Sequence, residues 1–91
     1  MTREWHSLIS NPQDLPPVGV GNWVEVTVED TRGREVRRFV CRAFLHSSDG
    51  DKNWYEYTVF SSRRGIETEG VSVVAWRDRP APILPYTGEW K

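Results

Sequence analysis

The chain has 91 residues, enough for one domain with a modest core, and its 27% charged content with a mean hydropathy of −0.62 leaves little aliphatic material for that core. Ten Arg and two Lys stand against thirteen acids for a net charge of −1, so no global field exists to hold double-stranded nucleic acid or an anionic membrane. The single cysteine, Cys41, excludes an internal disulfide and suits a reducing compartment.

No apolar run approaches the roughly 18 residues of a membrane helix, and Met1 to Asn11 lacks the basic start and apolar stretch of a secretory signal, so the expected location is cytoplasmic. Residues 1–21 contain Pro12, Pro16, Pro17, Gly19 and Gly21, which forbid a long helix; at most one helical turn fits near Trp5 to Ile9. From Trp23 the pattern alternates, with Val24, Val26 and Val28 on one side and Glu25, Thr27 and Glu29 on the other, which predicts a strand.

Asp30-Thr31-Arg32-Gly33 reads as a tight turn, with the next strand starting at Arg34. A three-residue loop Thr31 to Gly33 would set Val28 against Val36, Val26 against Arg38 and Val24 against Val40. Arg38 is the discordant member of that register, since it falls on the valine face. Away from the turn, Phe39, Cys41, Ala43 and Leu45 make the opposite face apolar as well, so both faces need cover there.

His46 to Asn53 is expected to be a polar loop, Trp54 to Phe60 a strand, Ser61 to Gly70 a second polar connection, and Val71 to Trp76 a short buried strand. The tail from Arg77 holds Pro80, Pro82 and Pro85 among Ile83, Leu84, Tyr86 and Trp90, a composition suited to lying extended over a sheet. The expected fold is therefore mainly β: one small domain, 1–91, with a curled antiparallel sheet of about four strands over 22–76. The Pro-rich segments 1–21 and 77–91 are expected to pack across it.

The chemistry-bearing residues are sparse. His6 and His46 lie in no nucleophile frame, and Cys41 sits mid-strand, where a small buried hydrophobe is the ordinary reading. One Cys with two isolated His cannot close a zinc site, and Asp49-Gly50-Asp51-Lys52-Asn53 has calcium-loop oxygen spacing but Trp54 and Phe60 where glycine and a bidentate Glu belong. No glycine-rich phosphate loop occurs. The chain is expected to be no enzyme and to need no cofactor or metal.

What stands out is Arg used over Lys alongside five Trp and three Tyr, the residue types that dominate binding hot spots. Arg37, Arg38, Arg42, Trp54, Tyr55, Arg63 and Arg64 are the candidate partner-binding residues, on the expectation that the fold draws them into one patch. Solvated pairing of the arginines with Glu25, Glu29, Glu35 and Glu56 is the bland alternative.

Trp5, Leu15-Pro16 followed by Gly19, the strand around Val24-Glu25-Val26, Trp54, and Val73-Val74-Ala75-Trp76 ahead of Pro80 and Pro82 occur in an order that resembles a family of short phage and prophage proteins of unknown function. The resemblance spans most of the chain, although the linker from Pro16 to Trp23 is longer and Arg77-Asp78-Arg79 replaces a more apolar stretch. It implies a small accessory gene acting in the host cytoplasm.

Three functions follow as expectations: blocking a host or defence protein, for example a CRISPR-Cas component; sequestering a small anion or nucleotide signal; and binding single-stranded nucleic acid on exposed Trp54 or Tyr55. Apolar positions on both faces of one strand are also compatible with a homodimer.

Overall fold

The computed structural model describes residues 4–58 and 64–80. Among these residues the backbone forms five strands, β1 (His6–Ser7), β2 (Val24–Asp30), β3 (Arg37–Ser48), β4 (Asp51–Glu56) and β5 (Val71–Arg77), with one 3-10 turn at Val20–Asn22. They make one open antiparallel sheet in the order β1-β5-β2-β3-β4. The mainly β, antiparallel expectation is correct. The fifth strand is His6–Ser7, where a helical turn was expected, and it pairs with Trp76 and Ala75. Among the described residues no helix is long and apolar enough to cross a membrane.

The β2–β3 register differs from the sequence expectation. The connection runs from Thr31 to Val36, and Val24, Val26 and Val28 stand opposite Ala43, Cys41 and Phe39, while Glu29 faces Arg38 and Asp30 faces Arg37. The offset of three residues is odd, so it exchanges the faces of β3. Arg38 leaves the valine face and bonds Glu29, Nε to Oε2 at 2.9 Å. Gly33 has no positive φ, so it does not close a tight hairpin here.

The two-residue turn lies instead at Asp49-Gly50, where φ is 52° and 86°. Positive φ at both central residues matches the right-handed twist of the flanking strands. The stretch expected as a loop, His46 to Asn53, is therefore the tip of the β3–β4 hairpin, with Ser48 paired to Asp51. The oxygen donors of its calcium-like spacing become a turn residue and exposed strand residues.

One face of the sheet carries the core: Val24, Val26, Val28, Ala43, Leu45, Trp54, Val71, Val73 and Trp76. Val26 and Val28 are fully buried, each contributing about 2 kcal/mol by removal from water. Opposite Thr27 and Val28, β5 inserts one extra residue, so Thr27 meets Ala75 and Val28 meets Val73, with Val74 left over as a bulge. The bulge lets both Val73 and Val74 be buried in so short a strand.

The N-terminal segment covers the proximal half of the core face, as its proline content suggested. Leu8 and Leu15 pack on the core, Pro16 is buried, and the Leu8 amide donates to the Val74 carbonyl at 2.9 Å. The expected packing of the tail beyond Pro80 lies outside the described residues.

Candidate functional site

The sheet carries two side-chain constellations on opposite faces, since Cys41 and Glu56 of one are chain neighbours of Arg42 and Tyr57 of the other. On the core face, residues 64–66 run along the outer side of β4, with the Glu56 amide donating to the Arg64 carbonyl at 2.8 Å and the Ile66 amide to the Trp54 carbonyl at 3.0 Å. The chain then reverses between Thr68 and Val71, which exchange two backbone hydrogen bonds. Gly70 takes a φ of +82° in this turn, and its carbonyl accepts from the Thr31 amide at 2.8 Å, docking the β2–β3 loop against it.

Between this curled segment and the core face lies a cleft of about 360 Å³. Phe39, Cys41, Ile66 and Val71 give it apolar walls, and Arg32, Arg64 and Glu56 give it polar ones. Burial, and secondarily the Glu56 carboxylate, push the Cys41 thiol above its ordinary value, so the group stays protonated and is a poor nucleophile. Beside the cleft the hairpin exposes Val36, Phe39 and Val40, at 62%, 49% and 52% of their surface.

On the opposite face, Trp23 stacks on Tyr57, centroids 4.9 Å apart and planes 12° apart. The guanidinium carbons of Arg42 and Arg79 lie 5.4 and 5.1 Å from the Trp23 centroid. Arg77 sits 4.4 Å over Trp5 and bonds Glu25, Nε to Oε1 at 2.8 Å. A second cavity of about 370 Å³ opens here, bounded by Trp23, Trp76, Pro16, Pro17, Asn22 and Arg79.

The structure therefore divides the candidate set. Arg37 and Arg38 lie on the exposed part of β3, Arg38 committed to Glu29; Arg64 lies at the distal cleft; Arg42 belongs to the Trp23 cluster. Trp54 is a correction: opposite Leu45 on the core face it is only 4% exposed, so its ring is no surface platform. Tyr55 is half-buried on the other face, stacked on Phe44 at 5.9 Å and edge-on to His46. Arg63 lies outside the described residues.

Sequence reasoning missed Phe39, Cys41 and Ile66 as cleft walls and the meeting of Trp23 with Tyr57, Arg42 and Arg79. Phe39 was legible only through the correct register, whereas the Trp23 cluster joins residues more than 50 positions apart and left no local signal.

No protein-family model matches the chain, and comparison with curated proteins and with solved structures returns no significant match.

Proposed function

We propose that this chain is a non-catalytic accessory protein of the phage type that binds and blocks a host or defence protein, such as a CRISPR-Cas component, through the distal end of the β2–β3 hairpin. The observation that carries the reading is three large apolar side chains, Val36, Phe39 and Val40, each about half or more exposed within five residues of chain. Phe39 faces the core side of β3 and Val40 the other, so the end of the hairpin exposes apolar surface on both faces, an ordinary mark of a binding edge, and arginine beside it supplies desolvatable charge. Arg37 makes no ion pair among the described residues, whereas Arg38 beside it is spent on Glu29. The ground for the phage context is the order of motifs, which resembles that of short phage proteins.

The test is capture of a partner by tagged protein from bacterial lysate, in parallel with Phe39→Ser and Arg37→Glu. A partner retained in fixed stoichiometry by the wild type and lost by both variants, each still melting cooperatively above the assay temperature, is the expected result. Equal capture by the variants overturns the hairpin contact, and an empty wild-type capture from every lysate of susceptible hosts overturns the reading itself.

A second reading, sequestration of a small anion or nucleotide, is favoured by Arg42 and Arg79 on Trp23 beside the proximal cavity. It requires a rise in melting temperature with one member of a nucleotide panel, abolished in Arg42→Gln.

A further inference from the structure

Strand β3 overhangs β4. It has 12 residues, but β4 pairs only with residues 43–48, and the last contact is the Tyr57 amide donating to the Arg42 carbonyl at 2.9 Å. Among the described residues nothing pairs with residues 37–41 on that side, although β2 pairs with the same stretch on the other. Alternation from Arg42 turns the amides and carbonyls of Val40 and Arg38 toward the open side, and those of Cys41, Phe39 and Arg37 toward β2. An edge with such groups exposed is a template for a further strand.

We infer that this edge is filled by the same edge of a second copy of the chain, antiparallel about a two-fold axis at Phe39. The open stretch 37–41 is centred on Phe39, so self-pairing there uses all of it and stops where each copy's own β4 begins. Arg38 and Val40, the two residues whose backbone groups point outward, then stand opposite each other and exchange hydrogen bonds on both sides of the axis. Phe39 meets Phe39 of the second copy as a non-hydrogen-bonded pair, which covers two rings that are each about half exposed.

The charges fit the same axis. Arg37 of one copy falls opposite Cys41 of the other, two places along from Ala43 and its partner Glu56. Arg37 and Cys41 share a face of β3, and Cys41 and Glu56 line one cleft, so Arg37 and Glu56 meet across the seam twice. Neither makes an ion pair among the described residues. Arg38, the cation nearest the axis, is neutralised by Glu29 of its own chain. The inference goes beyond the partner-binding reading and concerns the free protein; a host protein that takes Phe39 displaces the second copy.

A seam this short lies at the low end of specific interfaces, so the dissociation constant is expected on the order of 10 to 100 µM. Sedimentation of the purified full chain from about 5 to 500 µM should show the mass rising from 10.6 kDa toward twice that value. Arg37→Glu and Glu56→Arg should each weaken association about tenfold, and the double variant Arg37→Glu/Glu56→Arg should restore it. In a mixture of carbon-13-labelled and unlabelled wild type, an intermolecular Hα–Hα NOE between the two Phe39 residues is expected, which needs no variant to fold.

A single species of 10.6 kDa at every concentration overturns the inference. So does a dimer without the Phe39 NOE, or one indifferent to both charge reversals, since it assembles through another surface. Hydrogen exchange identifies the other occupants of the edge. Arg38 and Val40 amides protected in a monomer mean that residues of the same chain cover it, and amides protected only in the presence of a captured host protein mean that a strand of that protein does. Because these measurements use the purified chain alone, their failure leaves the lysate capture to decide the partner-binding reading.

Discussion

Trp76 joins three segments through one side chain. Its ring stacks on His6 with centroids 4.0 Å apart and planes within 6°, and its indole Nε1 donates to the Asp14 carbonyl at 2.6 Å. His6 Nδ1 in turn lies 2.8 Å from Asp14 Oδ2. Trp76→Phe keeps the ring in the core but leaves the Asp14 carbonyl without its donor, at a cost of about 1–3 kcal/mol. A lowered urea midpoint at unchanged m-value is the expected reading. An unchanged midpoint would mean that the indole hydrogen bond is replaced by solvent at no cost.

Asp30 is the other residue with a distinct signature. The Arg32 side chain bonds both its carboxylate oxygens and the Arg32 amide bonds one, which lowers its pKa from 3.8 to about 2. A depressed folded value means that the stabilisation is present above the unfolded pKa and is lost as pH falls through the folded one. The window thus runs from about pH 4 down to about pH 2. Carboxyl titration by NMR should place the wild-type Asp30 near 2 and return it toward 3.8 in Arg32→Ala, while stability near neutral pH falls slightly in the variant. A wild-type midpoint near 3.8 would show that the Arg32 contact does not persist in solution.

At the scale of elements, the β2–β3 hairpin separates what the sequence made legible from what it did not. Both strands were visible in their alternation, and the conflict at Arg38 was visible too, since it placed a guanidinium opposite Val26. The alternative register sets Arg38 against Glu29 and Arg42 against Glu25, a charge match readable from sequence. What hid it was Asp30 to Gly33, a good short-turn pattern with nothing to show that three more residues belong to the loop. The Asp49-Gly50 turn was legible by the strongest short hairpin signal and was obscured by the polar run around it. The proximal cluster and the cleft were not legible, because each depends on pairing between distant strands.

The register makes a measurable claim. Alternation from the Ser48–Asp51 pair leaves Thr27 and Val40 as a non-hydrogen-bonded pair, so their Cα atoms approach to about 4.5 Å and a strong cross-strand Hα–Hα NOE is expected. The tight-turn register predicts no such contact. The same pairing separates two neighbours energetically. Val28 is fully buried, so Val28→Ala should cost about 2 kcal/mol, while its cross-strand partner Phe39 is half exposed and Phe39→Ser should cost less, about 1 kcal/mol. A large loss at Phe39 would make it a core residue and remove the hairpin from the binding proposal.

For the molecule as a whole, the question is whether the N-terminal segment belongs to the same cooperative unit as the sheet. Terminal segments commonly fray, and β1 is only two residues long. Yet the segment is attached at several independent points: the His6–Trp76 and Ser7–Ala75 pairing, the Leu8 amide on Val74, Asp14 on Trp76, and the Gly19 amide on the Leu45 carbonyl at 2.7 Å. It also closes the proximal core, since Leu8 and Leu15 pack there and their removal would bring Trp76 and Val24 to water. Opening the segment therefore exposes much of the same apolar surface as opening the sheet, which leaves little free-energy gap between local and global unfolding. The Leu8 amide is accordingly expected to exchange with a free energy close to that of Val26 in the central strand, and Trp76→Phe should lower both together. Leu8 exchange at open-chain rates, with Val26 still protected, would instead make the segment a detachable strap, and the proximal half of the core face would then open to solvent without unfolding of the sheet.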